Sequence, residues 1–166
     1  KRDAYRCGDR GWLPWTRAPS GSPRSSCDAR RRDSKKVAFL QNVIGILRLD
    51  KATALHARAE ELGRDSRFRD QFDIAVARAV TALPVLSELC LPLVKPGGRF
   101  IAMKGQDDET TQSDQAIHLL GGKLEEVFNY DLPGMDAVRS LVIVNKTKGT
   151  PSRYPRRMVN IRKSPL

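Results

Sequence analysis

Residues 72–105 read FDIAVARAVTALPVLSELCLPLVKPGGRFIAMKG. The opening eight residues, 72–79, are a compact apolar run of the kind that fills a strand covered on both faces. LPVLSELCLPLVK follows with apolar residues at helical spacing, and PGG at 96–98 stops it, because Pro ends a helix and Gly tolerates the turn after one. RFIAMKG is then a second buried strand. Strand, helix and strand in about thirty residues is the βαβ unit, whose two strands must lie parallel.

The pattern extends in both directions. Upstream, SKKVAFLQNVIGIL puts Val37, Leu40, Val43, Ile44 and Leu47 on one helical face with Ser34 as N-cap, and ATALHA is a short strand. Downstream, DETTQSDQAIHLLGG is a helix closed by Gly121 and Gly122; KLEEVFNYDL and SLVIVNKT are two closing strands around PGMDAVR. The expected fold is α/β: a doubly wound parallel sheet with a C-terminal antiparallel hairpin. No internal repeat is visible.

At 166 residues the chain is about one domain by length. No apolar run approaches the roughly 18 residues of a membrane span, so no membrane is expected as a partner. Three Cys, widely spaced, form neither a disulfide framework nor a metal pair, and point to a reducing cytosol and no metal. The net charge of +11 is uneven: residues 1–36 carry +7, 37–145 carry −3 and 146–166 carry +7. A basic C-terminal tail is a candidate for phosphate contact, against the plainer reading of a solvated terminus. His56 and His118 are solitary and read as structural or surface residues, and Cys90 reads as core.

KKVAFLQNVI, RAEELG, FDIAVARAV, LPVLSELCLPLVKPGGRFIAMKG, DLPG, SLVIVNKT and YPRR, in that order over residues 34–166, resemble the GidB/RsmG family of 16S ribosomal RNA methyltransferases. The resemblance implies a Rossmann-like sheet, S-adenosylmethionine as methyl donor, a cytoplasmic setting, and methylation of a guanine N7 in the 16S rRNA of the small ribosomal subunit. N7 bears a lone pair and no proton, so no general base, and no catalytic residue, is expected.

Such a family should place, ahead of this region, a strand ending in Asp-Val/Ile-Gly-x-Gly-x-Gly-Phe-Pro-Gly and a second strand ending in an acid. Glycines let main chain approach the cofactor, and the acid binds ribose hydroxyls. Residues 7–23 instead read CGDRGWLPWTRAPSGSP. Trp has a single codon, TGG, which allows the underlying DNA to be read one nucleotide on. From the second nucleotide of the Ala4 codon the permitted residues include Leu-Ile-Asp-Val-Gly-Thr-Gly-Ala-Gly-Phe-Pro-Gly. Glycines across Trp12/Leu13 and Trp15/Thr16 hold for any Leu13 codon. Cys27 to Arg31 permit Val-Thr-Leu-Val-Asp/Glu. The expectation is therefore an irregular, out-of-frame segment at 1–33, an incomplete methyltransferase-like α/β domain at 34–148 and a basic tail at 149–166, with the sheet's first two strands missing or disordered. A disordered RNA-binding arm rich in Trp and Arg and an organelle transit peptide are the alternatives for 1–33.

The resemblance implies that Ala59 and Glu60 lie beside the adenine and Arg78 near the cofactor and target base; the alternatives are a first-turn acid complementing its helix for Glu60 and a salt bridge for Arg78. Lys104 would face substrate, or be an ordinary surface Lys. Arg139, Arg156 and Arg157 are candidates for RNA backbone contacts, with Tyr154 as a stacking platform. The tail departs from the family at Val159-Asn160-Ile161, where a Gly-x-Pro turn is expected.

Overall fold

The computed structural model describes residues 4–7, 13–16, 25–28, 34–50, 52–78, 81–105, 110–133 and 138–166. Its strands are β1 (Ala4–Cys7), β2 (Leu13–Thr16), β3 (Ser25–Asp28), β4 (Ala52–Leu55), β5 (Phe72–Arg78), β6 (Val94–Lys104), β7 (Gly122–Asp131) and β8 (Val138–Lys146). Its α-helices are α1 (Ser34–Ile46), α2 (Ala59–Leu62), α3 (Leu83–Cys90), α4 (Thr110–Leu119) and α5 (Met158–Lys163). The main sheet runs β1-β5-β6-β8-β7, and a smaller one runs β2-β3-β4. β1 and β6 flank β5 in parallel, while β8 is antiparallel to both β6 and β7. The parallel core and closing antiparallel hairpin follow the sequence pattern, with β8 seated between its hairpin partner and β6.

One face of the main sheet carries the core. Ala75 and Ala77 of β5, Phe100 and Ala102 of β6 and Val144 of β8 are inaccessible to solvent. Against them lie Leu83, Leu86 and Cys90 of α3 and Ile117 of α4, equally buried. Each of the leucines contributes about 1.5–3 kcal/mol on burial, so α3 is fixed by its apolar surface more than by capping, since Ala82 makes no side-chain cap.

α3 is shorter than its periodicity predicts. Pro92 has no amide hydrogen to continue the helix, and the chain tightens into a 3-10 turn over Leu91–Leu93 before β6 begins at Val94. The PGG segment belongs to β6. The register with β5 slips between Phe72 and Ile74, so Phe72 pairs with Val94 and Ile74 with Arg99. Gly97 takes φ +85°, and a Cβ on Gly98 would stand 2.8 Å from Val94 Cγ1.

β4 takes up the first four residues of ATALHA. It pairs parallel with β3, and its Ala54 packs with Val37 and Leu40 of α1 in a small second core. Within 1–33, three four-residue strands are described; the rest of the expected irregular segment lies outside the described residues. Within the basic tail at 149–166, Thr150, Tyr154 and Ile161 are buried, the last two within the main core.

Candidate functional site

The carboxyl ends of parallel strands are where α/β sheets take their ligands. Here Arg78 closes β5 in register with Met103, and Lys104 closes β6 in register with Ser140. Arg139, one residue back along β8, brings its guanidinium to 3.5 Å from where a Cβ on Gly105 would stand. Three cations expected from the sequence therefore share one edge. They do not share one face. Lys104 Nζ donates to the Thr81 carbonyl at 3.1 Å, at the turn into α3, whereas Arg78 is exposed on the alternate side of the sheet. Among the described residues, neither Arg78 nor Arg139 has an ion-pair partner.

Ala59 and Glu60 open α2, the short helix that follows β4. Glu60 is buried, 8 % exposed, and its carboxylate stands 3.8 Å from Arg58 Nη1, beyond hydrogen-bond length. Among the described residues this carboxylate accepts no hydrogen bond, which toward them leaves acceptor capacity for an amine or hydroxyl. Its place in the first helical turn also suits it electrostatically.

The remaining expected site residues sit at the opposite edge, about 20 Å away along the seven residues of β5 at roughly 3.3 Å each. Arg156 is bound to Glu88 of α3: Nη2 donates at 2.6 Å and Nε at 2.9 Å, and the Arg156 amide donates to the same carboxylate at 2.8 Å. These bonds hold the guanidinium above its ordinary pKa. Tyr154 is 6 % exposed and lies under the Arg153 and Arg156 guanidinium groups. A ring so buried offers no face to a base. Tyr154 and Arg156 thus anchor the C-terminal segment, and Arg157 alone of the three is exposed.

The same edge holds a cluster that sequence reading missed. Lys146, at the end of β8, is wholly buried and donates to the Leu91 carbonyl, to Thr150 Oγ1 at 2.6 Å and to Asp70 Oδ1 at 3.3 Å. Burial brings its ammonium down to about 8, with Asp70 opposing the shift. Arg69 ties in further by donating to the carbonyls of Gly63, Tyr154 and Thr150. The signal was a charge directly after an apolar strand at Lys146, and one inside an apolar helix at Glu88.

The family model GidB, described as rRNA small subunit methyltransferase G, matches residues 31–133. Ribosomal RNA small subunit methyltransferase G of Acetivibrio thermocellus is 47% identical over 133 residues, covering 80% of this chain and 55% of that protein. The protein of the same name from Lactobacillus johnsonii is 44% identical over 134 residues, covering 80% and 56%. The chain spans about half the length of the curated relatives it matches. In fold it is similar to the geranyl diphosphate C-methyltransferase of Streptomyces coelicolor A3(2), with a TM-score of 0.54 and 10% identity over 72% of this chain and 63% of that one. A second similar fold is M. jannaschii TYW2 in complex with AdoMet, at TM-score 0.50 and 13% identity over 70% and 55%.

Proposed function

We propose, given that the chain belongs to the rRNA small subunit methyltransferase G family, that it acts in methyl transfer from S-adenosylmethionine to guanine N7 of 16S rRNA in the cytoplasm, with its own hold on the donor impaired. The observation that carries the RNA side is the convergence of Arg78, Lys104 and Arg139 on the ligand-taking edge of the sheet. Arg78 and Arg139 are suited to phosphate oxygens, which position an RNA without reading its sequence. A cation against N7 itself would oppose the reaction, because methylation leaves the imidazole ring positive. Binding and orienting the acceptor is then the work of these residues, and no proton has to be removed.

Among the described residues, support for S-adenosylmethionine is confined to the adenine-end reading, in which Ala59 and the buried Glu60 at the start of α2 would meet the adenine. The methionine end needs main chain bare of side chains at the end of a central strand. Among the described residues the glycine at this edge is Gly105, on β6's side, and a Cβ there would meet only Arg139. After β1 the sequence offers Gly8 and Gly11, then Trp12, Pro14 and Trp15. Among the described residues no glycine-built donor cradle stands at this edge.

That replacement also favours a second reading, a non-catalytic remnant that binds RNA weakly. Methyl transfer separates the two. Small ribosomal subunits lacking the modification are incubated with tritiated S-adenosylmethionine and either this chain or one whose residues 4–33 carry the shifted-frame reading. Incorporation at guanine N7 is expected only with the second chain. Full incorporation by the first overturns the impairment, and none by the second leaves the remnant reading standing.

A further inference from the structure

We infer that Phe128 and Tyr130 of β7 form a stacking platform for unpaired nucleotides of the RNA substrate, a role that rests on the reading above and extends it beyond phosphate contact. β7 is the outer strand of the main sheet and runs parallel to β6, so its carboxyl end lies at the same edge as Arg78, Lys104 and Arg139. Phe128 is 51% exposed. Its ring and that of Tyr130 have centroids 6.2 Å apart and planes within 17° of parallel.

Register places these rings in a specific company. Phe128 pairs with Leu141, Leu141 with Met103, and Met103 with Arg78, so one row across four strands runs from aromatic ring through apolar side chains to a guanidinium. Cross-strand partners share a face. One step further along, Tyr130 pairs with Arg139. The result is a strip bearing two rings and two arginines on the face opposite the packed core.

Half-exposed aromatics flanked by cations are what single-stranded RNA requires: rings stack on bases whatever their identity, and arginines take the phosphates between them. A plain structural role would account for Leu141 and Met103, which are half-buried, but leaves the exposure of Phe128 without use. An apolar protein partner would gain little from the arginines. Glu126, exposed two residues before Phe128 and paired with Ile143, bounds the strip on one side, because a carboxylate there repels a phosphate chain.

The test is fluorescence anisotropy with a labelled unpaired RNA 12-mer, free or annealed to its complement. The chain is expected to prefer the unpaired form. Phe128→Ala should weaken unpaired binding about tenfold, in keeping with stacking on one ring, with the salt slope intact and duplex binding unaltered. Arg139→Gln should instead lower the salt slope by about one. Phe128→Trp should bind at least as well as the original, which separates loss of a ring from loss of the fold. Unchanged affinity in Phe128→Ala, or an equal loss for duplex, overturns the platform; if Arg78→Gln still weakens RNA binding, the broader reading survives it. No RNA binding by the parent chain sinks both. A Phe128→Ala variant that loses self-association while keeping RNA affinity assigns the strip to a protein partner and overturns the proposal.

Discussion

Glu88 is the residue on which the C-terminal segment depends. Its side chain is fully buried on α3, and three donors of Arg156 converge on it. Hydrogen bonds between charged groups contribute about 1.5–3 kcal/mol each when their removal leaves a partner unsatisfied. Glu88→Gln keeps the volume and loses the charge, so it should lower unfolding free energy by about 2–3 kcal/mol in urea titration. Lys146 makes a different prediction. Its pKa falls from 10.5 in the open chain to about 8 when folded, so between those values the unfolded chain holds a proton that the folded chain has released. Stability from this group therefore rises with pH across the window, by an upper bound of about 3 kcal/mol. Urea midpoints measured from pH 7.5 to 10.5 should climb relative to those of Lys146→Met; parallel curves would exclude the effect. Neither residue was singled out in the sequence, because a charge beside an apolar run can as readily point to solvent. Arg78 and Lys104 could be placed at one edge because each closes an apolar run, and strand ends fix position to within a residue or two, whereas the sequence offered no such position for Arg139.

At the scale of elements, hydrophobic period carried the reading. Val37, Leu40 and Ile44 at helical spacing gave α1, and the apolar runs at 72–79 and 99–104 gave β5 and β6. Period does not report where Pro92 tightens α3 into a 3-10 turn, nor that PGG is taken into β6 as a bulge. α5 was missed altogether, since six residues of mixed polarity with one buried side chain, Ile161, have no periodic signature. The α4–β7 junction was read correctly from its glycine pair, and it makes a sharp prediction. Gly121 has φ +85°, and a Cβ there would run into the Lys148 carbonyl, while its own oxygen accepts from Thr147 and Lys148 amides. Gly121→Ala combines a left-handed backbone with a backbone clash and should lower stability by more than about 2 kcal/mol. Gly149→Ala, with open space around it, should change it by less than about 0.5 kcal/mol. Thermal unfolding of the two variants makes the comparison.

Over the whole molecule, two edges of one sheet divide the labour. The opposite edge is held by Lys146, Arg69 and Arg156, so part of the C-terminal basicity that looked available for RNA is spent on internal bonds. On the function proposed above, Arg78 and Arg139 at the ligand-taking edge are the cations left to meet a polyanion. Charge counted along a chain cannot distinguish these fates, because pairing depends on which helix a distant segment meets. What the sequence did expose, ahead of any fold, was the mismatch between a methyltransferase core and an opening segment of Trp, Pro and Arg. Calorimetric titration with S-adenosylmethionine tests that mismatch most directly, using this chain and the chain with residues 4–33 in the shifted frame. No measurable heat is expected from the first and micromolar binding from the second; equal micromolar binding by both would overturn the impaired hold on the donor.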